Sequence, residues 1–440
     1  MAYCILKSYK LKTDPFRIFE LFSRYKDCFF LDSALNSQGH GRYSFLGIQP
    51  FLKVQTRGEE PFKKIRAALK SYHISFSGNS PPFLGGAVGY LAYDFNLGMP
   101  DCVFGFYNSA VIIDHAKKLL YLCTIGFPEK GYRLGKVLAE SNFKKLSRLV
   151  CRAVQDKSSD SGQYLYSRAS ELKSNFQKKD YLAAVERAKE YISRGDIYQV
   201  NLSQRFETET PLPGVGIYRR LRRISPAPFG AYFAGGDFEI LSSSPERFLS
   251  VSKDRVVTRP MKGTRGRSTN KKRDTSLKRE LLTSSKDKAE LVMIVDLERN
   301  DLGRVCSYDS IKVTSLRTLE AYNTVYQTTA TVEGRLHEDK DRIDLLRACF
   351  PGGSITGCPK IRAMEIIQEL EPTRRSVYTG ALGYLSFSGN MDFNILIRTI
   401  LKKKRKLYFG VGGGIVADSD PEAEYAETLL KARAMVEAIS

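Results

Sequence analysis

Between Ile197 and Gly263 the chain reads as a succession of strands, IYQVNLSQRFE, FGAYFAG, FEILSSS and RFLSVSKDRVVTRPMKG, joined by polar turns. An amphipathic helix precedes them. KKDYLAAVERAKEYISRGD, from Lys178, sets Tyr181, Val185, Ala188 and Ile192 on one face, and Gly195 stands where that helix should stop. Strands that follow one another, interrupted by helices rather than alternating strictly with them, point to an α+β antiparallel design over a doubly wound one. The first 150 or so residues mix the same ingredients, with a strand-like stretch over 103–126 and a helix-like PFKKIRAALKSYH over 61–73. At 440 residues the chain exceeds the usual single core, so two lobes or one large elaborated sandwich are expected. The polar, Ser-rich segment 156–175 reads as a linker, dividing an N-terminal lobe (1–155) from a C-terminal lobe (176–440). One internal echo is visible, GGAVGYLAYDFN (85–96) against TGALGYLSFSGN (379–390). The copies lie too far apart for a solenoid, and two glycine-bearing strands under similar packing demands explain them.

Composition narrows the function. The hydrophobic fraction of 42% and charged fraction of 27% are those of a soluble globular protein. No apolar run approaches the roughly 18 residues of a membrane span, and MAYCILKSYKLK does not read as a signal peptide, so a cytoplasmic location without membrane contact is expected. The eight cysteines form no C-x-x-C pair, which argues against a zinc site or a disulfide framework. Four histidines (His40, His73, His115, His337) lie far from one another, so any metal is expected to be a hard ion held by carboxylates, such as magnesium. The net charge of +21 and the Lys- and Arg-dense stretch from Lys262 to Lys288 raise the question of nucleic acid. That stretch lacks interleaved aromatics, and no recognition module is present, so a solvated basic surface or a field attracting a small dianion is the expected meaning.

Two glycine-rich segments resemble nucleotide loops and fail. GGGIVA (412–417) is followed by a single helix running to the chain end, so no βαβ unit can be completed. In GGSITGCPK (352–360), Cys358 stands where a P-loop lysine must follow Gly357. The second loop reads either as a structural tight turn or as backbone N–H groups converging on a carboxylate, with Pro359 in the first turn of the next helix. The C-terminal SDPEAEYAETLLKARAMVEAI is a helix with Asp420 as N-cap and Pro421 at N1, and it places Glu424, Glu427 and Lys431 on one stripe. Glu427 and Lys431 read as a surface ion pair or, alternatively, as part of a magnesium and anion site. A second helix begins at Ser284, where Ser284 and Asp287 match a capping box, and nothing local explains Glu290 one turn on. Lys262 ends a strand just before a glycine and reads as a solvated turn lysine or, with Arg259 and Arg265 close in space, as a partly neutral nucleophile. Glu246, in SSSPERF, is a turn carboxylate or a general acid in a dry pocket.

In this order GDIYQVNLSQRF, SSSPERF, RPMKGTRGR, AELVMIVDLERNDLGRV, PGGSITGCPKIRAMEII, YTGALGYLSFSGNMDFNILIRT and GGGIVADSDPEAEYAET resemble the chorismate-binding enzymes. The likeness is close over about 178–438 and looser before, mainly at FLDSALNSQGHGRYSFLG and GGAVGYLAYD. It implies two large antiparallel β-sheets packed as a sandwich with helices outside, and chorismate with magnesium between them. By motif position Glu290 and Glu427 are the implied magnesium ligands, with Glu424 and Asp287 as supporting carboxylates. Tyr378, Arg398 and Lys431 resemble the family's carboxylate-binding residues, helped by the backbone around Gly412, Gly413 and Gly414. Thr356 falls at a substrate-pocket position, and Glu246 resembles the acid that protonates the departing 4-hydroxyl.

Two positions separate the branches. Members that add water at C2 carry a lysine where this chain has Gln199, and anthranilate synthases carry alanine where this chain has Lys262. Gln199 with Lys262, and Asn201 beside them, is the aminodeoxychorismate pattern, so 4-amination of chorismate is expected, with anthranilate synthesis as the alternative. No G-x-C-x-G glutaminase nucleophile is present, so ammonia is expected from a separate glutamine amidotransferase subunit in a heterodimer. Gln327, in VYQTTA, replaces a family histidine and can hydrogen-bond but not carry a proton as imidazole does. FLDS (30–33) replaces the L-L-E-S feedback segment of the anthranilate branch, with Asp32 for its glutamate.

Overall fold

The computed structural model describes residues 2–35, 41–57, 61–75, 80–94, 97–155, 170–322 and 325–440. Two antiparallel sheets, of twelve and ten strands, form a sandwich, and ten α-helices are assigned among the described residues. The 103–126 stretch resolves into three strands, Cys102–Tyr107, Ser109–Asp114 and Leu119–Ile125, because polar residues at Asn108 and His115–Lys118 break it.

Segments 1–155 and 176–440 share both sheets. In the larger one Phe29–Asp32 pairs with Phe229–Ala234, and in the smaller one Gly86–Leu91 pairs with Ala381–Ser386. The core between the sheets draws on both segments, with Phe29, Val88 and Phe104 packed with Ile240, Leu249 and Leu382 in one buried cluster. The chain is thus one elaborated sandwich. Residues 156–169 of the linker lie outside the described residues, and its end, Lys173–Ser174, adds a short strand beside Phe206 and Glu207.

The internal echo has a physical cause. Its two copies are adjacent strands, and Gly89 lies directly opposite Gly383. A β-carbon on Gly89 would meet the Val103 carbonyl oxygen at 1.9 Å, and one on Gly383 the Asp392 carbonyl oxygen at 2.1 Å. Close backbone approach at the middle of the sheet requires glycine at both.

Helices cover the outer face of the larger sheet. Lys178–Ser193 buries Tyr181, Val185 and Ala188 against Val200 and Leu202, and Gly195 ends the turn that follows with φ +82°. Pro421–Ile439 packs Ala432, Met435 and Ala438 against Val411 and Ile217. Its N-cap is Asp420, whose carboxylate accepts the Ala423 N–H at 2.8 Å. Ser284 caps the Ser285–Gly303 helix by accepting the Asp287 N–H at 3.1 Å. The reciprocal half of the expected capping box is not made, because the Asp287 carboxylate turns to Arg265 at 3.0 Å and the Ser284 N–H closes the preceding helix on Glu280. No helix among the described residues is long and apolar enough to cross a membrane.

Candidate active site

The site is a cavity of about 250 Å³ at one end of the sandwich. Its floor is the glycine run of the Lys406–Ile415 strand, paired with Gln199–Glu209. A β-carbon on Gly414 would stand 2.5 Å from Gln199 Nε2 and 3.2 Å from Lys262 Nζ, and one on Gly412 would stand 2.8 Å from Asn201 Oδ1. A bare backbone therefore lets three polar side chains converge over the strand. Both amide atoms of Gln199 and the Asn201 Oδ1 are buried with no partner among the described residues. Buried polar groups left in this state await a ligand or water.

Lys262 projects from the Met261–Gly266 strand, and its carbonyl accepts the Thr328 hydroxyl at 2.6 Å. Burial lowers its pKa first, and the neighbouring Lys431 adds to that, against Glu290, Glu246 and Glu427, which favour the cation. The flanking arginines expected to depress it are engaged elsewhere. Arg259 donates to Glu320 at 2.5 Å, and Arg265 to Glu280 at 2.6 Å and Asp287 at 3.0 Å. Their charges are neutralised by carboxylates, so desolvation replaces them as the cause.

Glu246 faces Lys262 across the cavity and is only 5% exposed. Burial pushes its carboxyl up to about 7, although the Ser354 hydroxyl, the Lys262 charge and the Met261 N–H all favour the carboxylate. A dry carboxyl facing a half-buried amine across one cavity is the pair that acid-assisted nucleophilic chemistry uses. Ser354 was not singled out by the sequence, since a hydroxyl in a glycine turn carries no signal of its own.

The carboxylates gather on the opposite wall. Glu290, from the Ser285–Gly303 helix, and Glu427, from the C-terminal helix, both line the cavity. Burial raises the Glu290 pKa, and the Glu427 and Asp287 charges push it further, whereas Lys262 and Lys286 oppose. Lys431 holds Glu427 below its ordinary pKa through an ion pair of 2.7 Å, and also donates to the Gly412 carbonyl at 2.8 Å. That pair is real, as a surface reading of the helix would have it, but it stands at the cavity wall. Glu424 accepts the Ser419 hydroxyl at 2.7 Å and lies 3.9 Å from Lys286. Asp287 is bound to Arg265. No three His, Cys, Asp or Glu side chains among the described residues close into a metal cage. Two glutamates lining one wall, with the Glu427 charge raising the proton affinity of Glu290, are instead an oxygen-only pair that fits a magnesium ion completed by water and ligand.

The remaining cavity wall is cationic and aromatic. Arg398 lines it at φ +50°, and among the described residues no ion pair or side-chain hydrogen bond engages its guanidinium. Burial lowers its pKa, so an anionic ligand is the partner it lacks. Tyr378 lies flat over Gly410, where a β-carbon would strike its ring at 2.4 Å. Gln327 replaces a proton carrier with an amide, donating to the Thr264 hydroxyl at 3.2 Å and leaving its buried Oε1 open.

Thr356 does not reach the cavity. It is fully buried, its hydroxyl donating to the Gly352 carbonyl at 2.9 Å, so it shapes the turn behind the wall. The same turn does receive a carboxylate on the Gly353 N–H, but that carboxylate is the chain's own Glu298, at 3.2 Å. Pro359 is the N-cap of the following helix rather than its first residue. A buried pair, Arg375 and Glu371, ties these pieces together and escaped sequence reasoning. Arg375 donates to the Asn201 carbonyl at 2.6 Å and the Ile355 carbonyl at 2.9 Å, and Glu371 accepts the Ser203 N–H at 2.8 Å. Far from the cavity, Asp32 is held by Arg222 at 2.8 Å and Tyr218 at 3.2 Å.

Known proteins share this architecture. The family described as chorismate binding enzyme matches residues 26–437. Anthranilate synthase component 1 of Acetivibrio thermocellus is 37% identical, over 97% of this chain and 92% of its own. Anthranilate synthase component 1 of Thermus thermophilus is 40% identical over 82% and 78%. Aminodeoxychorismate synthase component 1 of Bacillus subtilis is 35% identical over 92% and 91%. The crystal structure of anthranilate synthase component I from Streptococcus pneumoniae superposes with a TM-score of 0.79 at 31% identity, over 91% of this chain and 93% of that one. With that match over nearly its whole length, and a sandwich superposable on a solved relative, this chain belongs to the chorismate binding enzyme family.

Proposed function

We propose that this chain is the amination component of an aminodeoxychorismate synthase, converting chorismate and ammonia to 4-amino-4-deoxychorismate. The observation that carries the reading is Lys262, a half-buried amine whose pKa desolvation lowers, facing the protonatable Glu246 across the cavity. An enzyme that only needed to hold an anion would gain nothing from desolvating that lysine, because desolvation disfavours the charge. A neutral amine is a nucleophile. Its lone pair forms a bond to C2, the two ring double bonds shift, and the C4–O bond breaks as Glu246 donates its proton and water departs. Ammonia then bonds to C4, the double bonds return, and lysine leaves C2 with its bonding electrons. The sum is chorismate plus ammonia giving aminodeoxychorismate plus water, with the Glu246 proton recovered from the new ammonium group.

Arg398 and Lys431, with the backbone of Gly412–Gly414, bind the substrate carboxylates in this reading. Glu290 and Glu427 hold magnesium, with Glu424 and Asp287 behind them. Magnesium, when bound, supplies positive charge to a substrate carboxylate and to the wall on which the two glutamates otherwise repel. The Gln199 amide and the Asn201 Oδ1, buried and without partners among the described residues, receive the incoming nitrogen or the ring substituents.

Overall similarity favours a second reading, anthranilate synthesis, since relatives of that name stand above the aminodeoxychorismate relative in identity. The two readings differ chemically in the enolpyruvyl group, which anthranilate formation expels as pyruvate and 4-amination retains. The relatives are named as first components, which supports a second subunit supplying ammonia from glutamine. With chorismate, magnesium and ammonium, the purified chain is expected to consume chorismate without matching release of pyruvate, and glutamine should not replace ammonium. Stoichiometric pyruvate would establish the anthranilate reading, and efficient glutamine use by the chain alone would remove the need for a partner.

A further inference from the structure

Behind Glu246 lies a second buried carboxylate, Glu298, 3% exposed, on the helix that carries Glu290 to the cavity wall. Glu298 does not line the cavity. Its Oε1 accepts the Gly353 N–H at 3.2 Å, and its Oε2 accepts the Thr258 hydroxyl at 3.2 Å. Each partner leads directly to Glu246. Gly353 precedes Ser354, which lines the cavity with Glu246 and whose hydroxyl favours its carboxylate, and Thr258 lies on the strand leading through Pro260 to Met261, another lining residue, whose N–H acts the same way. Space around the clamp is closed, since a β-carbon on Gly353 would stand 2.8 Å from the Leu297 side chain and 3.2 Å from Glu298 Oε1.

From these contacts we infer that Glu298 is the positioning residue of Glu246, fixing both segments that grip the acid and setting a negative charge behind it. The inference rests on the reading of Glu246 as the acid that protonates the leaving hydroxyl. The charges around the pair are few. Lys360 faces Glu298 from the Lys360–Leu370 helix but is bound to Asp301 and to the Cys349 and Pro351 carbonyls at 3.0 and 2.8 Å. Lys262 and Lys431 face Glu246 from the cavity side. Burial pushes Glu298 up to about 7, as it does Glu246, and the Glu246 charge adds to the Glu298 shift; a Coulomb repulsion between two titrating groups acts in both directions. Glu298 in its ionised state therefore keeps Glu246 protonated to higher pH.

The test is Glu298→Gln, read in the pH profile of kcat/KM. Glutamine can accept the Gly353 N–H and donate to the Thr258 oxygen, so the clamp's shape persists while its charge is lost. In the wild type, activity should fall as pH rises through the Glu246 pKa near 7, because the acid must hold its proton. In Glu298→Gln that alkaline limb should move down by about 0.5 pH unit or more, with KM little changed. Glu298→Ala, which also releases the Gly353 turn, should lower kcat by about tenfold or more. If Glu298→Gln does not fold, Thr258→Val serves instead. It leaves Glu298 Oε2 without its donor, makes Glu298 easier to protonate, and should move the limb in the same direction. An unshifted limb in the folded variant, with only a lower melting temperature, would reduce Glu298 to a structural residue. Glu246→Gln separates that failure from failure of the underlying reading: if it abolishes turnover while Glu298→Gln leaves the limb in place, only the positioning inference falls. Near-normal turnover in Glu246→Gln would remove the acid itself.

Discussion

Lys262→Arg should abolish formation of aminodeoxychorismate, with a loss on the order of 10³-fold or more, the scale seen when a nucleophile is removed. The substitution keeps the positive charge opposite Glu246 and Glu290, so any purely electrostatic duty survives. What it removes is the capacity to be neutral, because a guanidinium does not deprotonate in a protein. Withholding ammonia sharpens the experiment. Under the covalent account the wild type then accumulates a chorismate adduct on Lys262, found by intact mass and mapped by peptide fragmentation, and the arginine variant accumulates none. A variant turning over near the wild-type rate would show that the lysine only pairs with substrate.

Glu290→Gln and Glu427→Gln should each lower turnover at ordinary magnesium by about 10²–10³-fold, the equivalent of several kcal/mol of lost charge stabilisation. Each swap nearly preserves shape while removing one charge from the oxygen pair, so circular dichroism and melting should remain close to wild type. The wall explains why neither change should unfold the protein. No side-chain hydrogen bond holds Glu290 among the described residues, and burial outweighs the attraction of Lys262 and Lys286 for its charge. Removing that charge therefore costs the free enzyme little, and the loss appears when the ion and substrate bind. Partial rescue of Glu427→Gln by raised magnesium would separate weakened ion binding from a direct role in chemistry. Near-normal activity of both variants at ordinary magnesium would return Glu427 and Lys431 to a simple helix-surface pair.

What the sequence made legible was local, and what it hid was tertiary. Asp420 and Ser284 were readable as caps because a cap binds a backbone N–H within its own first turn. The echo of GGAVGYL and TGALGYL announced two equivalent strands, but that Gly89 faces Gly383 depends on a pairing across nearly three hundred residues. The stripe of Glu424, Glu427 and Lys431 followed from helical periodicity alone, whereas the cavity it faces did not. Arg259 and Arg265 misled because sequence proximity to Lys262 said nothing of Glu320, Glu280 and Asp287, which neutralise them. Thr356 matched a pocket motif, yet its hydroxyl closes a turn behind the wall. Ser354, Glu298 and the Arg375–Glu371 pair carried no pattern, since each matters only through partners distant along the chain. Their burial is what exposes them: a charged group held dry must have its hydrogen bonds answered, and tracing those bonds leads back to the site.

The sharing of both sheets by the two segments bears on how the site is held. Lys262 lies on a strand, Glu246 and Arg398 in short connections between strands, and Glu290 and Glu427 on different helices, so no short segment carries the chemistry by itself. Arg398, without an ion pair among the described residues, and the open Asn201 Oδ1 then mark the cavity wall where a ligand completes the structure.

Whether Lys262 sets the outcome is answered most directly by the identity of the product. Purified chain, chorismate, magnesium and an ammonium salt should give a compound with the mass and fragmentation of 4-amino-4-deoxychorismate, its enolpyruvyl group retained, and nitrogen-15 ammonium should place one label on it. Anthranilate as the main labelled product would contradict the account, and Lys262 would then be an unusual residue in an enzyme of the other branch.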